Sequence, residues 1–329
     1  MSIFYSLIIP VFNRPDHIKS LLSCLTEQKF KNFETIVVES GSSIKSDKVV
    51  ESFSNLIDVH YVLEGNNGQG FSRNAGMKKA KGDFFVILDS DILLPDFYLE
   101  NINNHLQNHY LDAFGGPDKL HPASSTFQKA VNFCMTSFLT TGGTRGKKSK
   151  VGQYYPRSFN MGVSREVFET VGGFNIPFMG EDIEWSHRII KNGFKTGLIE
   201  NAYVFHERKK TLKTFFQQIN FFGKARINIS QLVKNSFKWL HLLPLAYCGY
   251  VFIIILSFLF SSELGSWLAI PFFIYNLLIL IFSSLNSKNG LTGLFSVICT
   301  NALMLGYCKG MITEFFNLYI FKNKQSYQL

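Results

Sequence analysis

Between Lys238 and Lys288 the chain carries one formally charged residue, Glu263, and this tract limits the available folds more than any other feature. Residues 240–260 and 266–285 each reach the length of about 20 apolar residues that a helix needs to cross a bilayer. Both are rich in phenylalanine and offer no polar face to water, which argues against a soluble helical hairpin. Residues 291–307 make a weaker third candidate, polar at Thr300 and Asn301. The expected organisation is therefore a water-facing domain over 1–202, a basic amphipathic linker or lid over 203–239, and a membrane region over 240–321 with two or three helices. From Tyr203 to Leu240 there are eight Lys or Arg against one Glu, and Lys288 follows the second span. By the positive-inside rule, both ends of the first hairpin face the cytoplasm, and so does the N-terminal domain. Lys322 and Lys324 would lie outside if the third segment spans, so a re-entrant or interfacial course stays open for it.

The first 202 residues have a different pattern. Residues 4–11 read as a buried strand interrupted by Pro10, and Ile18, Leu21, Leu22 and Leu25 follow at helical spacing. A second strand at 34–39 closes in Ser40-Gly41-Ser42, and a third at 59–63 leads into Gly65-Asn66-Asn67-Gly68-Gln69-Gly70 and a helix over 71–79. That alternation predicts an α/β fold with a parallel, Rossmann-like sheet and right-handed crossovers. The six-residue glycine stretch lacks the order of a dinucleotide loop and reads as a flexible active-site loop. Phe84 to Leu88 form a five-residue apolar run of the kind covered on both faces, and Asp89-Ser90-Asp91 falls at its C-terminal end. Open α/β sheets bind ligands at that edge. Two carboxylates so spaced can share one divalent cation on a diphosphate, although an Asp-x-Asp is also a common polar turn. The five cysteines, Cys24, Cys134, Cys248, Cys299 and Cys308, form no Cys-x-x-Cys pair, so neither disulfides nor structural zinc is expected, in keeping with a reducing cytosol.

Five motifs resemble those of the family 2 glycosyltransferases, which share the GT-A fold, and the resemblance covers roughly residues 3–230. They are Ile9-Pro10-Val11-Phe12-Asn13, Val38-Glu39-Ser40-Gly41-Ser42, Ser72-Arg73-Asn74-Ala75-Gly76, the Asp89-Ser90-Asp91 strand end, and Gly172-Gly173-Phe174-Asn175 with Gly180-Glu181-Asp182-Ile183-Glu184. The resemblance implies a nucleotide-binding set of Pro10, Phe12, Asn13, Glu39, Arg73, Asn74 and Asp89. In it Glu39 takes the place of the family's uracil-contacting aspartate with a longer arm, and Ser40 brings no second carboxylate. It also implies Asp182 as the base, with Glu181 next, and an inverting reaction from a UDP-sugar. Hard cations such as Mg2+ or Mn2+ want oxygen ligands, which Asp91 and Asp89 offer, and a cation of this kind neutralises charge on a leaving diphosphate. His206 ends a strand read over 201–206 that in many GT-A enzymes returns toward the site; it is either a third ligand or a stacking histidine.

The expected activity is transfer of one sugar from a nucleotide-diphosphate donor to a hydroxyl of a lipid-linked or envelope glycan, at the cytoplasmic face of the inner membrane. Alternatives are a processive polysaccharide synthase, a polyprenyl-phosphate sugar transferase and a non-catalytic scaffold. Gln217-Gln218 followed by Phe221-Phe222-Gly223-Lys224-Ala225-Arg226 does not reproduce the Gln-x-x-Arg-Trp spacing of processive synthases. Arg208, Lys209, Lys210 and Lys213 suit a closing lid or anionic membrane lipid. The excess of Lys and Arg from Tyr203 to Leu240 accounts for much of the net charge of +9, and no RNA-binding motif accompanies it, so nucleic acid is not an expected partner.

Overall fold

The computed structural model describes residues 3–142, 154–234 and 236–321, which form two compact units. The first unit, comprising residues 3–121 and 154–207 of those described, is built on a mixed sheet. Its chain order is β1 (Tyr5–Val11), α1 (Pro15–Thr26), β2 (Phe33–Ser40), α2 (Asp47–Glu51), β3 (Val59–Glu64), α3 (Gln69–Lys79), β4 (Phe84–Leu88), β5 (Ile92–Leu93), α4 (Tyr98–Asn108), β6 (Ala113–Gly115) and β7 (Asp118–Lys119). In the second unit α5 (Thr126–Thr136) and α6 (Phe138–Thr141) follow. The first unit resumes with β8 (Asn160–Ser164), α7 (Arg165–Val171), α8 (Glu181–Lys191), β9 (Thr196–Leu198) and β10 (Val204–His206).

The main sheet runs β3-β2-β1-β4-β8-β6-β9, and its first four strands are parallel, as the strand–helix alternation requires. β8 enters antiparallel to both β4 and β6, so the sheet is mixed beyond β4. Period-2 alternation splits the apolar run between two cores: Phe84, Val86 and Leu88 pack with α1 and α4, while Phe85 and Ile87 pack with α3 and α8. Every residue of β4 is buried, and its C-terminal end opens the site. A second sheet, β5-β10-β7, pairs His206 with Ile92.

The second unit, residues 122–142 with 208–321 except 235, is helical: α9 (Leu212–Leu232), α10 (Leu243–Phe260), α11 (Ser262–Ser287) and α12 (Gly290–Phe315) join α5 and α6. Among the described residues, three helices are long and apolar enough to cross a membrane: Trp239–Phe260, Ser262–Ser287 and Gly290–Ile320. The third extends well past residue 307, the limit read from hydropathy, because Lys309 and Glu314 cut the apolar signal without ending the helix. Lys322 and Lys324, on which its topology turned, lie outside the described residues.

The segment read as a flexible basic lid is structured. Thr211 caps α9 through its side chain, and α9 buries Phe215, Ile219, Ile227 and Ile229. It lies close against α12, where a Cβ on Gly223 would come within 2.3 Å of the Tyr307 carbonyl oxygen. Arg208 is also held, its guanidinium donating twice to Asn132 Oδ1 at 3.1 and 2.9 Å. An apolar stripe packs this segment while Lys213 stays exposed.

Candidate active site

Three chain segments converge where β4 leaves the sheet. Asp89 and Asp91 follow β4; Phe12, Asn13 and Arg14 follow the adjacent β1; and the β5–β10 pairing returns His206 to the same place. Asp89, Asp91 and His206 offer ligand atoms that all lie within 4.8 Å of one another. His206 Nε2 stands 3.3 Å from one Asp91 oxygen, and Arg14 Nη1 donates to the other at 2.9 Å. His206 Nδ1 is buried, 4.0 Å from Asp118. Two carboxylates and one imidazole, each partly open, are a fitting donor set for Mg2+ or Mn2+, with the nitrogen favouring the softer Mn2+.

The other half of the site begins at a strained turn. Met179 and Gly180 hold φ of 66° and 106°, and α8 starts immediately after with Glu181 and Asp182. The two halves are tied by Arg73, only 1% exposed, which donates from Nη2 to Asp89 at 2.8 Å and from Nη1 to Glu181 at 2.7 Å. Burial disfavours its charge, but Asp89, Glu181 and Asp182 outweigh that and hold its pKa above the ordinary arginine value. Glu181 is buried too, and burial pushes its pKa up, with Asp182 adding to the shift and Arg73 opposing it. Gln69 Nε2 also donates to Glu181, at 2.7 Å. Asp182 is the more accessible acid: Oδ1 accepts from the Ile183 N–H at 2.8 Å, and Oδ2 faces Arg157 at 3.8 Å.

Several residues singled out in the sequence turn inward. Arg73 is a buried brace without a face open to ligand, because two carboxylates compete for its guanidinium. Asn74 clamps the Gly172-Gly173-Phe174 segment: its amide donates to the Phe174 carbonyl and accepts from the Phe174 N–H, both at 2.8 Å. Gly173 is required there, since a Cβ would fall 2.1 Å from Asn74 Oδ1. Glu39 is fully buried; one oxygen accepts from Ser42 Oγ and the other from the Ser46 N–H, so its longer arm folds back to shape its own loop. Asn13, with φ 53°, likewise accepts from the N–H groups of Ser43 and Ile44. Pro10 is half-buried in β1, and Phe12 projects, 51% exposed. The glycine stretch is less loose than its composition suggests, because Gln69 already begins α3 and the Gly70 N–H donates to the Pro177 carbonyl at 2.8 Å.

Three residues at the site escaped sequence reasoning. Arg14 sits one position beyond the Asn13 motif, which was its one available signal. Gln69 lay hidden in a stretch read as loop, and Arg157 carries no local signal at all.

The description "Glycosyl transferase family 2" matches residues 6–172. An uncharacterized glycosyltransferase of Haemophilus influenzae is 36% identical over 117 residues, which cover 33% of this chain and 45% of that protein, so the match spans less than half of that relative. The succinoglycan biosynthesis protein ExoA of Rhizobium meliloti is 24% identical over 280 residues, 80% of this chain and 82% of the relative. Among solved structures, the mannosyltransferase PcManGT of Pyrobaculum calidifontis, in complex with GDP-Man and Mn2+, superposes with a TM-score of 0.70 at 16% identity, covering 96% of this chain and 88% of that one. The parallel strands, the acidic strand end and a family match across half of the sequence agree, and the chain belongs to glycosyltransferase family 2, built on the GT-A fold.

Proposed function

We propose that this glycosyltransferase is metal-dependent and inverting, and moves one sugar from a nucleoside-diphosphate donor, UDP-linked by the family resemblance, to a hydroxyl of a lipid-linked or envelope glycan. The observation that carries this reading is the convergence of Asp89, Asp91 and His206 at the sheet edge, with Asp182 beyond the Arg73 brace. Bound there, Mg2+ or Mn2+ supplies positive charge to the leaving diphosphate. Arg73 fixes Asp89, and through Glu181 it fixes the first turn of α8, so both halves keep one geometry. Asp182 takes the proton of the acceptor hydroxyl at Oδ2, whose neighbour Oδ1 is already committed to a backbone N–H. As that hydroxyl oxygen bonds to the anomeric carbon, the bond to the diphosphate breaks and its electron pair leaves with the nucleotide. Arg14, 42% exposed at the side chain, lies where it can meet the released phosphates. PcManGT was solved with GDP-Man and Mn2+, which supports a nucleotide sugar and a divalent cation for this fold. The name of the relative ExoA, a succinoglycan biosynthesis protein, supports a part in glycan assembly.

The helices Trp239–Phe260 and Ser262–Ser287 anchor the protein in the inner membrane as a multi-pass chain, with the sheet unit cytoplasmic; the basic residues before the first span support that orientation. The functional division at 1–202, 203–239 and 240–321 belongs to the same proposal.

The test is a screen of nucleotide sugars for Mn2+-dependent hydrolysis by the detergent-solubilised full chain. One sugar nucleotide should be turned over, and hydrolysis should cease with chelator. A chain that binds and hydrolyses none of them with Mn2+ or Mg2+ present is a scaffold, and the reading fails. With an acceptor lipid supplied, a single added sugar on a hydroxyl separates this activity from a polymer or from a sugar phosphate.

A further inference from the structure

At the N-terminal edge of the sheet, opposite the acidic strand end, Glu34, Asp58 and His60 meet where β2 and β3 begin. We propose that these three side chains form a second divalent-cation site, of the zinc class, that staples β2 to β3 and takes no part in sugar transfer. Glu34 is five residues from Glu39 along β2, about 17 Å at the usual rise per residue, so the two edges are separate places.

The donor geometry comes first. His60 Nε2 lies 3.1 Å from Asp58 Oδ1 and 3.7 Å from Glu34 Oε2, and all three donor atoms fall within 4.8 Å of one another. A tetrahedral cation with bonds of about 2.0–2.1 Å holds its donors about 3.3–3.4 Å apart, between the two distances seen. The parallel register explains the arrangement: Thr35 pairs with Val59, so Glu34 and Asp58 sit side by side, and His60 shares the face of Asp58 two residues on.

The state of Glu34 supplies the independent observation. Its side chain is fully buried, yet Oε2 has no hydrogen-bond donor, while Oε1 already accepts from Ser6 Oγ at 2.6 Å and the Lys81 N–H at 2.5 Å. A buried carboxylate oxygen left without a donor is costly. Here it is aimed at the imidazole and at Asp58, which are 45% and 55% exposed at the side chain and leave an entry path and room for a water as fourth ligand. The imidazole and the near-tetrahedral donor spacing suit Zn2+, and because Asp89, Asp91 and His206 offer the same donor types, this site is read from the difference between parent and variant. Cysteine spacing is blind to such a site, because Glu34 stands far from Asp58 in sequence and only strand pairing joins them.

The experiment uses the full chain in detergent, stripped with chelator and held near pH 7.5. Zn2+ binding is counted by calorimetry and by metal analysis after desalting, and Tm is measured with and without Zn2+. Because Glu34 is buried and its replacement endangers folding, the variant is the exposed pair His60→Ala with Asp58→Asn. The expected result is one Zn2+ fewer per chain than the parent and at least a tenfold weaker response of Tm to Zn2+. Equal stoichiometry in parent and variant overturns the site. A variant whose Tm falls by the same amount with and without Zn2+ overturns it too, and shows a plain imidazole–carboxylate pair. Neither readout uses turnover, so failure here is distinct from failure of the transferase reading.

Discussion

β4 and α10 are almost equally apolar and have opposite fates. All five residues of β4 are buried, whereas α10 buries Pro244, Ile254 and Ser257 and leaves Phe252, Ile255, Leu259 and Phe260 exposed. A serine faces in while phenylalanines face out, the reverse of a water-soluble helix. The polar groups follow the same inversion. In the sheet unit, the charged groups of the site gather at the C-terminal edge of the strands. In the helical unit, polar side chains pair between helices, as in Asn228 with Glu314, Ser283 with Ser296, and Asn276 with Asn301. The sheet unit thus turns its apolar groups inward, and the helical unit turns polar groups inward and leaves large apolar side chains on its outside. Substitutions should therefore cost most at the buried charges of the first and least on the outer face of the second.

Arg73→Leu should break the sheet unit hardest. It leaves Asp89 and Glu181 facing each other with no cation between them, and removing one partner from a buried ion pair costs about 3–5 kcal/mol. At about 2–4 °C per kcal/mol for a unit of this size, Tm in scanning calorimetry should fall by roughly 6–20 °C. A change under 2 °C would mean that the brace adds nothing to the fold.

Asp182→Asn should act on chemistry alone. The side chain is accessible and its Oδ1 contact with Ile183 N–H survives, so Tm should hold while turnover drops by about 10²–10⁴-fold, the usual worth of a positioned base. Donor affinity, measured by calorimetry with Mn2+, should stay within about twofold. Wild-type turnover would move the base elsewhere, and Glu181 is a poor substitute because Arg73 and Gln69 already occupy its carboxylate.

The contrast between these two acids marks how far the sequence could be read. Apolar runs bounded by polar turns located β1 to β4 to within one or two residues and placed the acidic strand end, while the return of His206 came from the family resemblance. What escaped was pairing at long range. Arg73 and Glu181 stand 108 residues apart, and nothing local tells whether an arginine in a motif points outward or becomes a brace. Glu39 and Asn13 turned inward for the same reason: each satisfies N–H groups of the 41–46 loop, an obligation visible only once that loop has a shape. The antiparallel β8 was illegible because Asn160–Ser164 is short and contains Gly162, a weak strand signal. The amphipathic character of 203–239 was legible, but that its apolar stripe packs as α9 against α12 was not, because the partner helix lies far along the chain.

Asn228→Leu tests the polar interior of the helical unit. Its amide donates to Glu314 Oε1 at 2.9 Å between α9 and α12, both side chains fully buried. Interhelical hydrogen bonds in membrane proteins average about 0.6 kcal/mol and reach about 1.7, so a loss within that range is expected in reversible detergent unfolding. The companion Asn228→Asp sets two carboxylates together and should cost more than the leucine. If leucine proves the worse of the two, shape and not polarity holds α9 to α12.

The smallest effect should come from the outer face of α10. Leu259 is 76% exposed, so Leu259→Ala opens no cavity, whereas the same shortening inside a packed core costs about 2–5 kcal/mol. In detergent, its unfolding free energy should shift by no more than about 0.5 kcal/mol. Leu259→Lys is the sharper arm, because a lysine at the centre of a membrane helix costs about 2.5–3.5 kcal/mol for insertion, less if it reaches the interface by snorkelling from this position near the helix end. Carbonate extraction of the expressed variants reads that difference: the alanine form should stay with the membrane and the lysine form should release in part. If the alanine form instead loses 2 kcal/mol or more, the outer face of α10 is packed against protein, and the inversion seen between β4 and α10 reflects a covering protein partner.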